Sequence, residues 1–148
     1  MKAFATGKVI ALEEVNDGVF SAGIMGDGFA IIPENNVICS PVNGTVTVMM
    51  QESRHACGLQ LKNGAEILLH VGLDTVAMKG DGFEYLVKED QEVSVGTPLI
   101  KFSKEKIKAA GYVDTTICVI TEPAKMENIK FATGVHAIAG ETTVVTAE

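Results

Sequence analysis

The chain has 148 residues, of which 47% are hydrophobic, and it carries a formal net charge of −7 at neutral pH. This length suits one domain spanning residues 1–148, and the acidic balance disfavours nucleic acids and anionic membranes as partners. No apolar run approaches the roughly 18 residues of a membrane span, and three cysteines cannot all pair within one chain, so we expect a cytoplasmic protein with reduced thiols and no direct membrane insertion.

Short segments rich in valine, isoleucine and threonine, separated by glycine, asparagine and aspartate, predict an all-β fold. In chain order, the predicted strands are residues 8–12, 29–33, 37–40, 44–50, 57–62, 65–71, 92–95, 99–102, 117–120 and 143–146. Ten short strands with regular turn signals favour an antiparallel β-sandwich or barrel.

One or two short helices are expected among these strands. The best helix candidate covers residues 104–110, because Ser103 can cap its first turn and Gly111 can end it. A second short turn of helix is predicted after Pro123, through Met126.

The dipeptide Asn63-Gly64, between two apolar-rich segments, predicts a two-residue hairpin turn, since both central positions of such a turn require positive φ. Pairing the strands outward from this turn sets Cys57 opposite His70. Side chains alternate between the two faces of a strand, so we expect His55 on the same face as His70, with backbones roughly 7–8 Å apart. Two of the chain's three histidines are thus predicted to be neighbours.

Such a pair of imidazoles suits phosphoryl transfer. A neutral imidazole, with a reference pKa of about 6.5, is a nucleophile, and a second polar ring can hold phosphoryl oxygens in the transition state. His70 follows an apolar strand that would make a rigid platform, and Gly72 leaves room for a phosphate or a partner's backbone. From spacing alone, a pair of structural histidines is an equally good interpretation.

Residues 64–76, with the sequence GAEILLHVGLDTV, carry the most specific motif. This stretch resembles the phosphorylation-site signature of glucose-type enzyme IIA domains, which belong to the bacterial phosphoenolpyruvate-dependent sugar phosphotransferase system. The resemblance covers nearly the whole chain and includes residues 26–31, 41–46, 53–55, 79–83, 95–99 and 140–142. It implies an antiparallel β-sandwich with a duplicated hybrid motif.

The resemblance also implies a role for each histidine. His70 aligns with the phosphoacceptor, which takes a phosphoryl group on its tele nitrogen from the phosphocarrier protein HPr and passes it to a cysteine of a sugar-specific IIB domain. His55 aligns with the histidine that hydrogen-bonds the phosphoryl group and assists transfer, and Ser53 stands at a hydroxyl position that could fix a ring tautomer. The expected function is a phosphocarrier in sugar uptake, a phosphotransferase component that requires no cofactor and no metal.

Further residues are expected around the two histidines. The predicted partner-facing rim consists of Asp27, Phe29, Val71 and Asp74, of which the two aspartates align with acidic rim residues of the family. Arg54 stands where some relatives carry asparagine, and we expect it to point to solvent.

Two other functions stay open. A zinc-dependent hydrolase on a related β-sandwich would use His55 and His70 as ligands, although a catalytic zinc site usually has three protein ligands and the sequence has no H-x-H or HExxH motif. A purely regulatory binding module would use the same histidines to report its phosphorylation state. The expected oligomeric state is a monomer.

Overall fold

The computed structural model describes residues 1–15 and 26–147, which form three antiparallel sheets. One α-helix, α1 (Lys104–Ala109), and two 3-10 turns, Leu12–Glu14 and Thr75–Met78, join the strands. In chain order, the strands are β1 Gly7–Ala11, β2 Asp27–Pro33, β3 Val37–Cys39, β4 Gly44–Met49, β5 Ala56–Leu61, β6 Glu66–His70, β7 Phe83–Tyr85, β8 Glu92–Val93, β9 Pro98–Phe102, β10 Thr116–Glu122, β11 Lys130–Phe131, β12 His136–Ala137 and β13 Val145–Thr146. Within the described ranges, no helix is long and apolar enough to cross a membrane.

The largest sheet has eight strands in the order β12-β1-β2-β10-β6-β5-β4-β8, beside the smaller sheets β3-β9-β7 and β11-β13. One face of the eight-stranded sheet enters the main core, where Leu69 and its ladder partner Cys118 are fully buried. The next register pair, His70 and Ile117, lies on the opposite face because side chains alternate. That second face carries a smaller apolar cluster that includes Ile117 and Ala30.

The predicted all-β antiparallel architecture is confirmed, and each of the ten predicted strands overlaps a strand of the structure. The strands that were not predicted, β7, β11 and β12, contain only two or three residues each. So short a segment shows little of the pattern by which a strand is recognised, although the equally short β3, β8 and β13 lie within predicted strands.

The predicted capped helix is also confirmed. The Ser103 hydroxyl accepts a hydrogen bond from the Lys106 backbone N–H at 3.2 Å, and Gly111 follows the helix with φ of 85°. The prediction of a second helical turn was wrong. The chain there makes a single turn, in which Met126 N–H donates to the Pro123 carbonyl at 3.0 Å, and Ala124 at φ 53° leaves the right-handed helical region.

The hairpin between β5 and β6 closes through three residues, 62–64, and not through two. Gly64 N–H donates to the Leu61 carbonyl at 3.0 Å, Leu61 N–H donates to the Ala65 carbonyl at 2.8 Å, and Gly64 alone in this loop takes a positive φ, 91°. This is the pattern of a tight turn followed by a left-handed glycine. Ala56, and not Cys57, therefore lies opposite His70, and the predicted register was wrong by one residue.

Candidate functional site

His55 and His70 are in direct contact. Their ring centroids are 4.5 Å apart and the ring planes are nearly perpendicular, at 86°. In a regular ladder His55 would lie with Val71, whose N–H donates to the His55 carbonyl at 2.7 Å, on the face opposite His70. However, β5 begins only at Ala56, and Arg54 bends the chain just before it with φ of 51°. The structure thus brings the predicted pair together at an irregular strand end, not through a shared strand face.

The His70 ring is oriented by the loop that follows it. Its Nδ1 lies 2.8 Å from the Gly72 carbonyl oxygen. A carbonyl oxygen only accepts hydrogen bonds, so in the neutral ring Nδ1 carries the proton and the lone pair resides on Nε2. Gly72 takes φ of 79°, and a Cβ at this position would come within 2.4 Å of Thr75 Cγ2. The glycine is therefore needed for the carbonyl to face the imidazole.

His55 is almost fully buried, with 2% of its surface exposed. Burial, the larger cause, and the nearby charge of His70 together lower its pKa from 6.5 to about 4. The ring is therefore neutral at physiological pH. Within residues 1–15 and 26–147, its buried Nδ1 has no hydrogen-bond partner. A buried, perturbed imidazole next to a second one is the kind of group that is found at functional sites.

Apolar side chains lie on the same face of the large sheet as His70. Its ladder partner Ile117 is fully buried, and Leu68, two residues before it on β6, packs against the same cluster. The buried members of this cluster are Ile10, Leu12, Val15, Ala30, Leu73, Ile117 and Val119. Such surroundings limit the water that can reach a phosphoryl group on the ring.

Thr75 is a residue of the site that the sequence did not reveal. Its side chain is completely buried, and its hydroxyl donates to the Val71 carbonyl at 2.5 Å. This bond closes the loop that begins at His70 and holds Gly72 in place. The available signal was a hydroxyl residue three positions after a glycine at a strand end, which is the pattern of a side-chain-closed turn.

The roles predicted for Ser53, Asp27 and Asp74 stay predictions, and the structure shows only the exposure of each residue. Ser53 is 7% exposed and precedes His55 by two residues, so its role at the rings stays a prediction. Asp27 at the start of β2 and Asp74 at the start of a 3-10 turn are both exposed, as rim residues must be.

The prediction that Phe29 and Val71 face a partner was wrong. Phe29 is 1% exposed and Val71 is fully buried, both in the main core. The Phe29 ring packs against Phe4 and Phe131 at centroid distances of 5.4 and 5.9 Å. These side chains alternate onto the face opposite His70, so no partner can touch them on an intact sheet.

Arg54 does not simply point to solvent, as was expected. It is half-buried, and its Nη2 donates to the Gly80 carbonyl at 3.4 Å. Cys57 is fully buried, and burial raises its thiol pKa to about 12, so it stays protonated and is a poor nucleophile.

A catalytic zinc site usually has more protein ligands than this pair supplies. In the part of the chain that the structure describes, no three His, Cys, Asp or Glu side chains are grouped as metal ligands. Two imidazoles fall short of the three protein ligands usual for catalytic zinc.

Comparison with known proteins identifies the relatives of this chain. Residues 1–126 match the model of the family described as phosphoenolpyruvate-dependent sugar phosphotransferase system, EIIA 1. The chain is 46% identical over 140 residues to the PTS system glucose-specific EIIA component of Bacillus cereus, covering 95% of this chain and 84% of that protein. It is 51% identical over 115 residues to the PTS system beta-glucoside-specific EIIBCA component of Bacillus subtilis, covering 78% of this chain but only 19% of that protein.

A solved structure shows the same fold. Glucose permease IIA from Mycoplasma capricolum superposes with a TM-score of 0.85 at 37% sequence identity, and the match covers 97% of this chain and 92% of that one. The β-sandwich expected from the sequence is confirmed by this likeness.

Proposed function

Because this chain belongs to the EIIA 1 family of the phosphoenolpyruvate-dependent sugar phosphotransferase system, we propose that Nε2 of His70 carries its phosphoryl group and that His55 assists the transfer. Members of this family are phosphocarriers, phosphotransferase components of sugar uptake. The observation that carries the assignment is the hydrogen bond between His70 Nδ1 and the Gly72 carbonyl, since it leaves the nucleophilic lone pair on Nε2.

The proposed step is a displacement at phosphorus. The Nε2 lone pair forms a new nitrogen–phosphorus bond, and the bond between phosphorus and the donor's nitrogen breaks with its electron pair passing to that donor. As the His70 ring gains positive character, its Nδ1–H bond to the Gly72 carbonyl strengthens and stabilises that charge. Onward transfer reverses these roles, with a thiolate of the acceptor attacking the same phosphorus.

His55 supports this step from beside the phosphoryl group, as a ring that is neutral before the group arrives. Its ring contacts the His70 ring, and its low pKa keeps it neutral until a charge arrives. A phosphoryl dianion placed next to it favours its protonated form, so its N–H donates to a phosphoryl oxygen and its added charge offsets the phosphoryl charge.

The proposed partners are HPr as donor and a glucose-type IIB domain as acceptor, with the chain acting as a monomer in the cytoplasm. The net charge of −7 and the exposed carboxylates of Asp27 and Asp74 favour a partner with a basic face. The step as written requires no cofactor.

The test is a phosphorylation assay with phosphoenolpyruvate, enzyme I and HPr, in which intact mass is recorded for wild type, His70→Ala and His55→Ala. The wild type is expected to gain one acid-labile phosphoryl group and His70→Ala none. His55→Ala is expected to gain the group but to pass it poorly to a IIB domain. If the wild type stays unmodified while HPr becomes phosphorylated, the proposal is wrong, and zinc content becomes the next measurement.

A further inference from the structure

The segment that carries His55 is joined at both ends to one phenol oxygen. Tyr85, on β7 of the three-stranded sheet, accepts a hydrogen bond from Met50 N–H at 2.8 Å. The same hydroxyl donates to the Ala56 carbonyl. The residues on either side of segment 51–55 are thus both hydrogen-bonded to one side chain, which lies 29 positions away from Ala56 in sequence. We refer to these two hydrogen bonds as the Tyr85 clasp.

Inside the clasp the backbone is bent and closely packed. Arg54 N–H donates to the Met50 carbonyl at 2.7 Å, and Arg54 has φ of 51°. Gly80 lies directly against the segment, since a Cβ there would come within 2.4 Å of the Glu52 carbonyl oxygen and 2.6 Å of Arg54 Nη2. The segment therefore has little room to shift while the clasp is closed.

The clasp also reaches the strand opposite the candidate phosphoacceptor. Ala56 directly follows His55 and is the ladder partner of His70. A displacement of the Ala56 carbonyl therefore moves His55 relative to the His70 ring. Burial raises the pKa of Tyr85, so its hydroxyl keeps the proton that it donates to Ala56 at neutral pH.

We propose that Tyr85 is a positioning residue for phosphoryl transfer, whose hydroxyl holds the buried imidazole of His55 edge-on against His70. The expected effect on the rate of phosphoryl transfer rests on the proposed function. The position of the His55 ring can be measured without any transfer. Tyr85 acts through the backbone at Met50 and Ala56 and takes no part in the chemistry.

The test is Tyr85→Phe, which keeps the aromatic ring and removes both hydrogen bonds. The matched control is Tyr112→Phe, because Tyr112 is the other tyrosine of the chain and lies beside α1, where its N–H donates to the Ile107 carbonyl. In an NMR titration, we expect the His55 pKa of Tyr85→Phe to rise from about 4 toward its ordinary value, because a released ring gains solvent. Onward transfer to a IIB domain is expected to slow about tenfold, since small misplacements of a catalytic group are costly.

If the two hydrogen bonds of Tyr85 only stabilised the fold and did not position His55, the result would be different. Tyr85→Phe would then have a lower melting temperature, but its His55 titration and transfer rate would stay as in wild type and in Tyr112→Phe, and that result overturns the proposal. If the wild type accepts no phosphoryl group, the proposed function fails, while the His55 titration still decides whether the clasp holds the ring.

Amide hydrogen exchange of the wild type keeps the test independent of how the variant folds. The Met50 amide is expected to exchange slowly, as an amide in a closed hydrogen bond does. Exchange as fast as in an open loop contradicts the clasp.

Discussion

At the turn end of the β5–β6 hairpin, a Cβ added to Gly64 would meet no atom within 4 Å, whereas at the other end a Cβ added to Gly72 would lie 2.4 Å from Thr75 Cγ2. Both glycines take a positive φ, 91° and 79°. The turn end is closed by hydrogen bonds among residues 61–65, and Gly64 is exposed to solvent.

The histidine end also has contacts with distant parts of the chain. A Cβ on Gly72 would lie 3.0 Å from the Val113 carbonyl oxygen, and the Ala56 carbonyl accepts a hydrogen bond from Tyr85. The turn end of the hairpin therefore tolerates a side chain at its glycine and helps define the fold. The histidine end, which we call the intolerant end, does not tolerate one and positions the chemical groups.

Alanine at each glycine gives the sharpest form of this comparison. Gly72→Ala is expected to lower the free energy of unfolding by about 3 kcal/mol, since the left-handed backbone and the clash with Thr75 both oppose a Cβ. Gly64→Ala meets only the backbone penalty and is expected to cost about 1 kcal/mol. Urea denaturation measures both. Phosphoryl uptake is expected to fall sharply in Gly72→Ala only, and equal losses of stability would contradict the account.

The pH dependence of stability tests the burial of His55. Its folded pKa of about 4 lies below its unfolded value of 6.5, so the unfolded state binds more protons between these two values. Stability is therefore lost as pH falls from 6.5 toward 4, by about 2 kcal/mol at pH 5 from this group. Urea denaturation at pH 7 and pH 5 should show a smaller pH effect in His55→Asn than in wild type.

The matched control is His136→Asn, because His136 is more than half exposed, with 57% of its side-chain surface accessible. The substitution also removes the 2.7 Å contact between His136 and Glu34, which favours the folded state when both groups are charged. This variant should therefore show a pH effect at least as large as that of the wild type. If His55→Asn keeps it as well, His55 is not the buried neutral ring that the structure shows.

Two threonines extend the comparison to single hydrogen bonds. Thr75→Val keeps the side-chain shape but leaves the Val71 carbonyl at the histidine end without its donor, at an expected cost of about 1 to 2 kcal/mol. Thr121→Val removes a bond to the Glu66 carbonyl that is 3.3 Å long and exposed to water, and should cost less than about 0.5 kcal/mol. Thermal unfolding of the two variants measures this difference, and a larger loss in Thr121→Val would reverse the account.

The smallest expected effect concerns charge at the rim. Asp74 and Asp90 are exposed aspartates with φ of 61° and 67°, and asparagine tolerates this backbone well. Asp74→Asn should slow phosphoryl uptake from phospho-HPr about threefold at low salt, because rim charges steer association. Asp90→Asn, near Val46 and away from the histidines, should leave the rate unchanged. A rate loss in Asp74→Asn that persists at high salt would argue against steering.

The elements of this fold were predictable wherever the determinants are local. Segments rich in valine, isoleucine and threonine between turn residues predicted the longer strands, and Ser103 and Gly111 predicted the limits of α1. The hairpin was predicted in kind but not in register, since Gly64 adopts the positive φ without Asn63. That single-residue shift exchanges the faces of a strand.

The site was only partly predictable. The histidine pair was predicted, but from a strand register that is wrong by one residue. The burial of Phe29 and Val71 was not predicted, because it depends on which sheet face the core occupies. The contacts of Tyr85 with Met50 and Ala56 span 35 and 29 positions. No local sequence pattern predicts such contacts. These contacts hold the intolerant end of the hairpin.

The most direct test of the central claim is nitrogen-15 and phosphorus-31 NMR of the chain before and after phosphorylation. Before phosphorylation, we expect the proton of His70 on Nδ1, as the Gly72 carbonyl requires, and after phosphorylation we expect phosphorus bonded to Nε2 of the same ring. Phosphorus on Nδ1 of His70, or on His55, would contradict the account.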